Sequence, residues 1–452
     1  MKKYCTRVFS FLLCAALLAG LLLPTAALAI PEMDVAASSA ILVDADNGDI
    51  LYEKEAHTRR YPASITKVMT ALLTLEAIDR GELSLDKVVT VSSTSQAGLS
   101  DDGSSQNIKP GEQLTVEELL NCALVASANE ACNILAEAVC GDISTFVDRM
   151  NQRAQELGMK DTHFANPHGL HNENHYSTAY DIWLMTAQAI KNSTFRTIVD
   201  TDQYRVPATN LSEERHFYNT NGLLSNWKYI GYTYSKAIGV KTGSTPEAGQ
   251  CLVSAAVDTG RTLIAVVLGA QNVTKADGTI DRQAFSESSR LLQWGFANFK
   301  RITIIDETAK LREVKVTLSE EADYVLLSPS GKLEATLPAD LKPEDFTQEV
   351  SVASESVAAP VEKGQVLGSV TLTYNGKSYG TLDLVASNSV SRSEKLYTLF
   401  RIKTFLEQLW VRLLLIALAV VILLLILRHL IFGKKRRRGR YKGYGGGKRR
   451  RY

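Results

Sequence analysis

Pro62-Ala63-Ser64-Ile65-Thr66-Lys67 runs directly into an apolar stretch, Val68 to Ile78. A helix that opens at Pro62 carries Ser64 in its first turn and Lys67 one turn later on the same face. The apolar continuation is too unbroken for a surface helix. The hydroxyl and the amine therefore sit at the positive end of a buried helix. A serine nucleophile with a lysine base needs that arrangement. Spacing alone is a loose criterion, because Ser84–Lys87 and Ser225–Lys228 repeat it. Context separates the copies: Lys87 starts a short strand reaching Ser92, and no apolar helix follows Lys228.

Working outward, Ser39–Asp46 and Asp49–Lys54 alternate like strands around Asn47-Gly48, a strong hairpin signal. Val116 to Cys140 is helical in pattern, with a break at Ser127-Ala128-Asn129. Further helices are expected at Ile143–Leu157, Thr178–Ile190 and Phe285–Phe299, with loops and short strands from Ser193 to Tyr234. Three strand candidates, Ala237–Lys241, Gln250–Val257 and Thr262–Ala270, precede the last helix. The expected fold class is α+β: an antiparallel sheet covered by helices, with a helical subdomain. Composition shifts near Arg301, and short alternating runs to Ser387, with a second Asn-Gly at Asn375-Gly376, read as a small all-β module.

Both ends are unlike the middle. Lys2, Lys3 and Arg7, the apolar run Val8–Leu23 and Ala27-Leu28-Ala29 read as a secretory signal with the mature chain from Ile30. An uncleaved anchor is the alternative. Lys395–Arg412 reads as an amphipathic helix after a polar linker, and Leu413–Phe432 is long enough to cross a bilayer. The tail from Gly433 holds eleven Lys/Arg and no acid, which places it on the cytoplasmic side. Setting aside those eleven and the three of the leader, 36 basic residues face 49 acidic ones, a net charge of −13. That balance argues against a nucleic-acid partner. The domain reading is thus signal 1–29, catalytic domain 30–300, β domain 301–387, linker and amphipathic helix 388–412, transmembrane helix 413–432, cytoplasmic tail 433–452.

Cys122, Cys132, Cys140 and Cys251 remain after the leader is removed. The first three lie among Ala, Leu and Val, where cysteine acts as a small hydrophobe, so free thiols are expected. No Cys-x-x-Cys or Cys/His spacing suggests a metal, and no cofactor is called for.

Two tripeptides complete the pattern. Ser127-Ala128-Asn129 joins two helical stretches, and Lys241-Thr242-Gly243 ends a strand. Each is weak alone, since Ser105-Gln106-Asn107 is another S-x-N. In this order, with S-x-x-K at a buried helix start, they form a strong combination. The sequence resembles the D-alanyl-D-alanine carboxypeptidases, the low-molecular-mass penicillin-binding proteins of the serine DD-peptidase superfamily (peptidase S11). The resemblance runs from about Val35 to Phe299. It includes Asn166-Pro-His-Gly-Leu170 and Tyr176-Ser-Thr-Ala-Tyr-Asp181, and the β module resembles the family's C-terminal domain.

The resemblance implies an acyl-enzyme on Ser64 formed from a terminal D-Ala–D-Ala bond, with penicillin as a mimic that acylates the same serine. Lys67 would act as a neutral base, its pKa lowered by burial and by Lys241 nearby. Ser127 would relay protons, Asn129 would hold the substrate amide, and Thr242 would bind the terminal carboxylate. The N–H groups of Ser64 and Ser244 would form the oxyanion hole. Gly243 would let substrate approach the strand. The arginine that the family uses for the carboxylate falls, counted without gaps, on Ala284, two residues after Arg282. Arg282 takes that role if the loop differs, and is otherwise a surface residue. His168 is read as structural. The implied partners are peptidoglycan stem peptides, β-lactams as inhibitors, and the membrane, with roles in peptidoglycan biosynthesis, cell-wall biogenesis and cell shape. A DD-endopeptidase acting on cross-links, or a non-catalytic wall-binding module, is the alternative. A β-lactamase is disfavoured, since nothing around Glu213 and Glu214 fits a deacylating base.

Overall fold

The computed structural model describes residues 31–100 and 103–432, so the expected leader and basic tail lie outside the described residues. The chain divides into two compact units. One runs to Ile302 and takes in Glu334–Pro343; the other holds Thr303–Leu333 and the chain from Glu344 onward.

The first unit is built on β1 (Ser39–Asp44) and β2 (Ile50–Lys54), an antiparallel hairpin turning at Asn47-Gly48. The buried helix follows as α1 (Lys67–Asp79). Next come β3 (Val88–Thr90), β4 (Gln113–Thr115), α2 (Val116–Leu124) and α3 (Asn129–Cys140), then α4 (Ile143–Glu156) and α5 (Ala179–Ala189). The sequence read 193–234 as loop and short strands, but α6 (Ser193–Asp200) is a helix, capped by the Asn192 side chain accepting from Phe195 N–H. At eight residues it is too short for periodicity to reveal; its cap and its buried Phe195, Ile198 and Val199 hold it. Strands β5 (Gln203–Val206) and β6 (Arg215–Tyr218) form a small hairpin, then β7 (Ala237–Thr245), β8 (Gly249–Asp258) and β9 (Arg261–Ala270) complete the main sheet. A second small hairpin, β10 (Asn272–Thr274) and β11 (Ile280–Arg282), leads into α7 (Gln283–Asn298).

The main sheet is antiparallel in the order β2-β1-β9-β8-β7, which leaves β7 as an edge. Strand alternation explains its two faces. Ile41, Val43, Val253, Ala255, Ile264 and Val266 enter the core shared with helices α1 to α6. Their neighbours Ala40, Leu42, Leu252, Ala256, Leu263 and Ala265 enter a second core with Phe285, Leu291 and Leu292 of α7. Ten of the thirteen α1 residues are buried, so this helix has helices or sheet on nearly every side and carries no polar face. Helix starts follow local chemistry. Thr115 and Glu118 form a reciprocal capping box before α2, and Thr178 and Asp142 cap α5 and α4.

One buried charge is tied within this unit. Asp44 is fully buried and accepts from Arg301 Nη2 at 2.7 Å and Thr336 Oγ1 at 2.6 Å. Arg301→Leu should leave that carboxylate underpaired and cost about 2 kcal/mol, discounted because the arginine is partly exposed. Urea unfolding measures it, and an unchanged midpoint would contradict the argument.

The second unit holds a six-stranded sheet in the order Thr347–Val352, Val366–Tyr374, Lys377–Ala386, Tyr324–Pro329, Arg312–Thr317, Ser356–Ala358. Its longest hairpin turns at Asn375-Gly376. Beyond it lie α8 (Glu394–Glu407), capped by Ser393, and α9 (Leu409–Phe432), separated by an extended Gln408. Within Leu409–Ile431 an 18-residue window has a mean hydropathy of 3.0 and is almost wholly exposed, and this is the one helix among the described residues long and apolar enough to cross a membrane. All four described cysteines are free thiols.

Candidate active site

Ser64 and Lys67 are brought together more tightly than an α-helix alone would manage. Ala63–Thr66 is a 3-10 turn, and α1 takes over at Lys67. In a 3-10 turn residues three apart eclipse, so the two side chains stand in line. Lys67 Nζ lies 2.9 Å from Ser64 Oγ, 2.7 Å from Asn129 Oδ1 and 2.7 Å from the carbonyl of His168. Three N–H donors meet three acceptors, with no water needed. The lysine is fully buried, and burial lowers its pKa to about 8, with Cys132 and then Glu130 pulling the other way.

The turn itself is held in an uncommon conformation. Ala63 has φ +47°, and its carbonyl accepts from Thr66 Oγ1 at 2.8 Å. Thr66 Oγ1 in turn lies 2.8 Å from His175 Nε2, while His175 Nδ1 accepts from Ala165 N–H. That pattern puts the imidazole proton on Nε2, donating to Thr66. Burial holds the His175 pKa down to about 3, so the ring stays neutral. His175 was missed by sequence reasoning, as an isolated histidine in a loop carries no signal. His168 is likewise buried and neutral, with its pKa lowered to about 3; its backbone carbonyl, not its ring, meets Lys67.

Ser127 sits in the turn between α2 and α3 with φ +65° and lines the same cleft as Ser64. The hydrogen bonds of Lys67 and Lys241 do not include it. Lys241 is buried on β7, with Nζ 3.1 Å from the Thr242 carbonyl. The sequence reading gave burial and Lys241 together as the causes that lower Lys67. In the structure burial is the main cause that lowers Lys67, and Lys241 is likewise pushed well down by burial and then by repulsion between the two lysines.

Thr242 Oγ1 lies 2.6 Å from Thr220 Oγ1. Gly243 is needed for a reason beyond the approach of substrate: an added Cβ would lie 2.8 Å from the Pro62 carbonyl and 3.1 Å from the Ser64 nitrogen. The strand packs directly on the turn that carries Ser64. The cleft, about 190 Å³, is lined by Ser64, Ser127, Thr242, Gly243, Ser244 and Arg282, which come from four separate elements. Asn129 and both lysines sit behind its wall. Arg282, at the end of β11, stacks its guanidinium 4.5 Å over Tyr229 and makes no ion pair among the described residues. Ala284 lines the cleft as well. The other two S-x-x-K copies lie elsewhere, in turns with Lys87 and Lys228 exposed.

Thr220, Tyr229, Asn272 and Phe285 line the cleft without having been expected there. Their positions depend on the loop from 219 to 234 and on the β10–β11 hairpin, which no short motif marks.

Comparison with known proteins agrees with this geometry. Residues 25–272 match the family described as D-alanyl-D-alanine carboxypeptidase, Peptidase_S11, and residues 299–392 match the penicillin-binding protein 5 C-terminal domain. The chain is 31% identical to D-alanyl-D-alanine carboxypeptidase DacF of Bacillus subtilis, over 80% of this chain and 88% of that protein. It is also 31% identical to DacA of Haemophilus influenzae, over 79% and 86%. Among solved structures, penicillin binding protein 5 from Haemophilus influenzae aligns with a TM-score of 0.63 and 29% identity, covering 80% of this chain and 99% of that one. Motifs, site and comparisons converge: the chain belongs to the D-alanyl-D-alanine carboxypeptidases of peptidase family S11.

Proposed function

We propose that this D-Ala-D-Ala carboxypeptidase trims peptidoglycan stem pentapeptides through an acyl-enzyme on Ser64, with Lys67 as the base. The observation that carries this reading is the three-way hydrogen bonding of Lys67 Nζ. When the amine loses one proton, Asn129 Oδ1 and the His168 carbonyl retain the other two N–H groups. The lone pair is then directed at Ser64 Oγ. The serine proton passes to Lys67 as Oγ bonds to the scissile carbonyl carbon. Lys67 returns it, through Ser127, to the leaving nitrogen, and D-alanine departs. Water attacks the acyl carbonyl by the same route in reverse and releases the shortened peptide.

Charge that develops on the carbonyl oxygen is assigned to the N–H groups of Ser64 and Ser244, which the packing of Gly243 on the nucleophile turn supports. Because β7 is a sheet edge, the peptide can lie along it as an added strand. Thr242 and Arg282, which makes no ion pair among the described residues, are assigned to the terminal carboxylate. A β-lactam would enter as an acylating mimic. We assign 30–300 to catalysis and 301–387 to the β domain, with 413–432 as a membrane anchor that holds the catalytic unit outside the cytoplasm.

Full-length protein should release D-alanine from a pentapeptide ending in D-Ala–D-Ala and should be labelled by fluorescent penicillin. Mass spectrometry of the labelled digest should find the adduct on the peptide containing Ser64. An adduct on Ser84 or Ser225, or labelling without D-alanine release, would sink the reading. Ser84→Ala and Ser225→Ala should label at the wild-type rate.

A further inference from the structure

Glu130 follows Asn129 at the start of α3 and is completely buried. A buried carboxyl must be met by donors or it is costly to keep. Its Oε1 collects three, from Ser105 Oγ at 2.9 Å, Gln106 N–H at 2.6 Å and Ile108 N–H at 3.4 Å. Its Oε2 is buried with no hydrogen-bond partner. All of its hydrogen bonds therefore go to one stretch, 105–108.

That stretch adjoins the cleft wall and is fastened to the Ser127–Asn129 turn at further points. Asn129 N–H donates to the Ser104 carbonyl at 2.9 Å, and Ser104 Oγ donates to the Ala126 carbonyl at 3.2 Å. Gly103 lies so close that an added Cβ would come 2.8 Å from Asn129 Nδ2. Ser104 lines the cleft beside Ser127. A continuous path thus links Glu130, through 103–108, to the Asn129 side chain that accepts from Lys67.

A neutral side chain could hold such a segment without burying a charge, so the carboxylate and its idle oxygen ask for a second role. Lys67 and Lys241 are both buried with no carboxylate in ion-pair distance among the described residues. The other titratable groups acting on them are Cys132, whose thiol is pushed up to about 11, the neutral rings of His168 and His175, and the exposed Lys228. Cys132 and then Glu130 act on Lys67 against the effect of burial, and Glu130 is the carboxyl of the two.

We propose that Glu130 is a positioning residue of this peptidase: it staples segment 103–108 onto the Ser127–Asn129 turn and supplies negative charge to the buried lysine pocket. The inference rests on the reading of Ser64 as nucleophile and Lys67 as base.

The test is the rate of Ser64 acylation by fluorescent penicillin, followed from about pH 6 to about pH 10 on the full chain, for wild type, Glu130→Gln and Glu130→Ala. Glutamine keeps the acceptor oxygen and the shape but removes the charge. Its maximal rate should stay within about threefold of wild type. Its rising limb should move to lower pH by roughly half a unit to one unit, because a lysine without the nearby anion gives up its proton more easily. Alanine releases the segment and should lower acylation at every pH by at least about tenfold. A Glu130→Gln midpoint coincident with wild type overturns the proposal, as does a Glu130→Ala rate within about threefold of wild type. If Glu130→Ala fails to fold, the Glu130→Gln midpoint decides alone. Wild type that is not acylated on Ser64 would instead overturn the catalytic reading, and this inference with it.

Discussion

Ser64→Ala is expected to abolish both D-alanine release and penicillin labelling, and Lys67→Met to slow acylation by roughly 10³- to 10⁴-fold. Alanine removes the only atom that can form the acyl bond, so no residual route through the enzyme remains. Methionine matches lysine in length and leaves no buried charge, which makes it the cleaner probe of the base. It also removes the donors to Asn129 Oδ1 and the His168 carbonyl, stranding two buried acceptors. That cost, about 1–3 kcal/mol for each, falls on stability. Thermal melting separates it from the chemical loss. Wild type carries its own test of the base. With burial holding Lys67 to about 8, roughly one lysine in ten is neutral at pH 7, so acylation should climb about tenfold towards a plateau above pH 9. The sign follows from the neutral amine being the active form. A flat profile over that range, or a Lys67→Met variant acylated at near the wild-type rate, would remove Lys67 from the mechanism.

Gly169→Ala is expected to be nearly as damaging although Gly169 lies outside the three motifs. Its φ is +88°, in the left-handed region, and an added Cβ would stand 1.9 Å from the Ala63 carbonyl oxygen and 2.9 Å from Thr66 Oγ1. These are the atoms that hold the turn carrying Ser64. Neither neighbour has room to withdraw: Ala63 and Thr66 are buried, and Thr66 is held by His175. The His168 carbonyl, one residue before, is a Lys67 acceptor. A collision with backbone at that distance cannot be relieved by a side-chain rotation, so a loss of roughly 3 kcal/mol or more is expected. Acylation should fall with it, because nucleophile and base would be displaced together. A variant that melts and labels like wild type would show that the loop yields without disturbing the site.

Much of the fold could be read directly from periodicity and turns. The Asn47-Gly48 hairpin, the buried run after Lys67 and the three long strands all declare themselves over a few residues. The short α6 did not, since its stability comes from a cap and three buried side chains and not from a repeating pattern. At the site, the motifs at Ser64–Lys67, Ser127–Asn129 and Lys241–Gly243 were legible only in combination and order, and the structure brings Ser64, Ser127 and the Thr242–Ser244 strand to one cleft. Arg282 was legible only as one of two choices. The structure places its guanidinium over Tyr229 and in the cleft with Thr242.

By itself, the sequence determined the three motifs and their order, and with them the residues to which the family resemblance assigns the chemistry. Tertiary structure alone decided how they are held. The 3-10 turn at Ala63 depends on His175, more than a hundred residues away, through Thr66. Gly243 proved to be shaped by the nucleophile turn it packs on. The depression of both Lys67 and Lys241 comes first from complete burial. Desolvation and close packing are sums over neighbours from the whole chain, so no local stretch of sequence contains them.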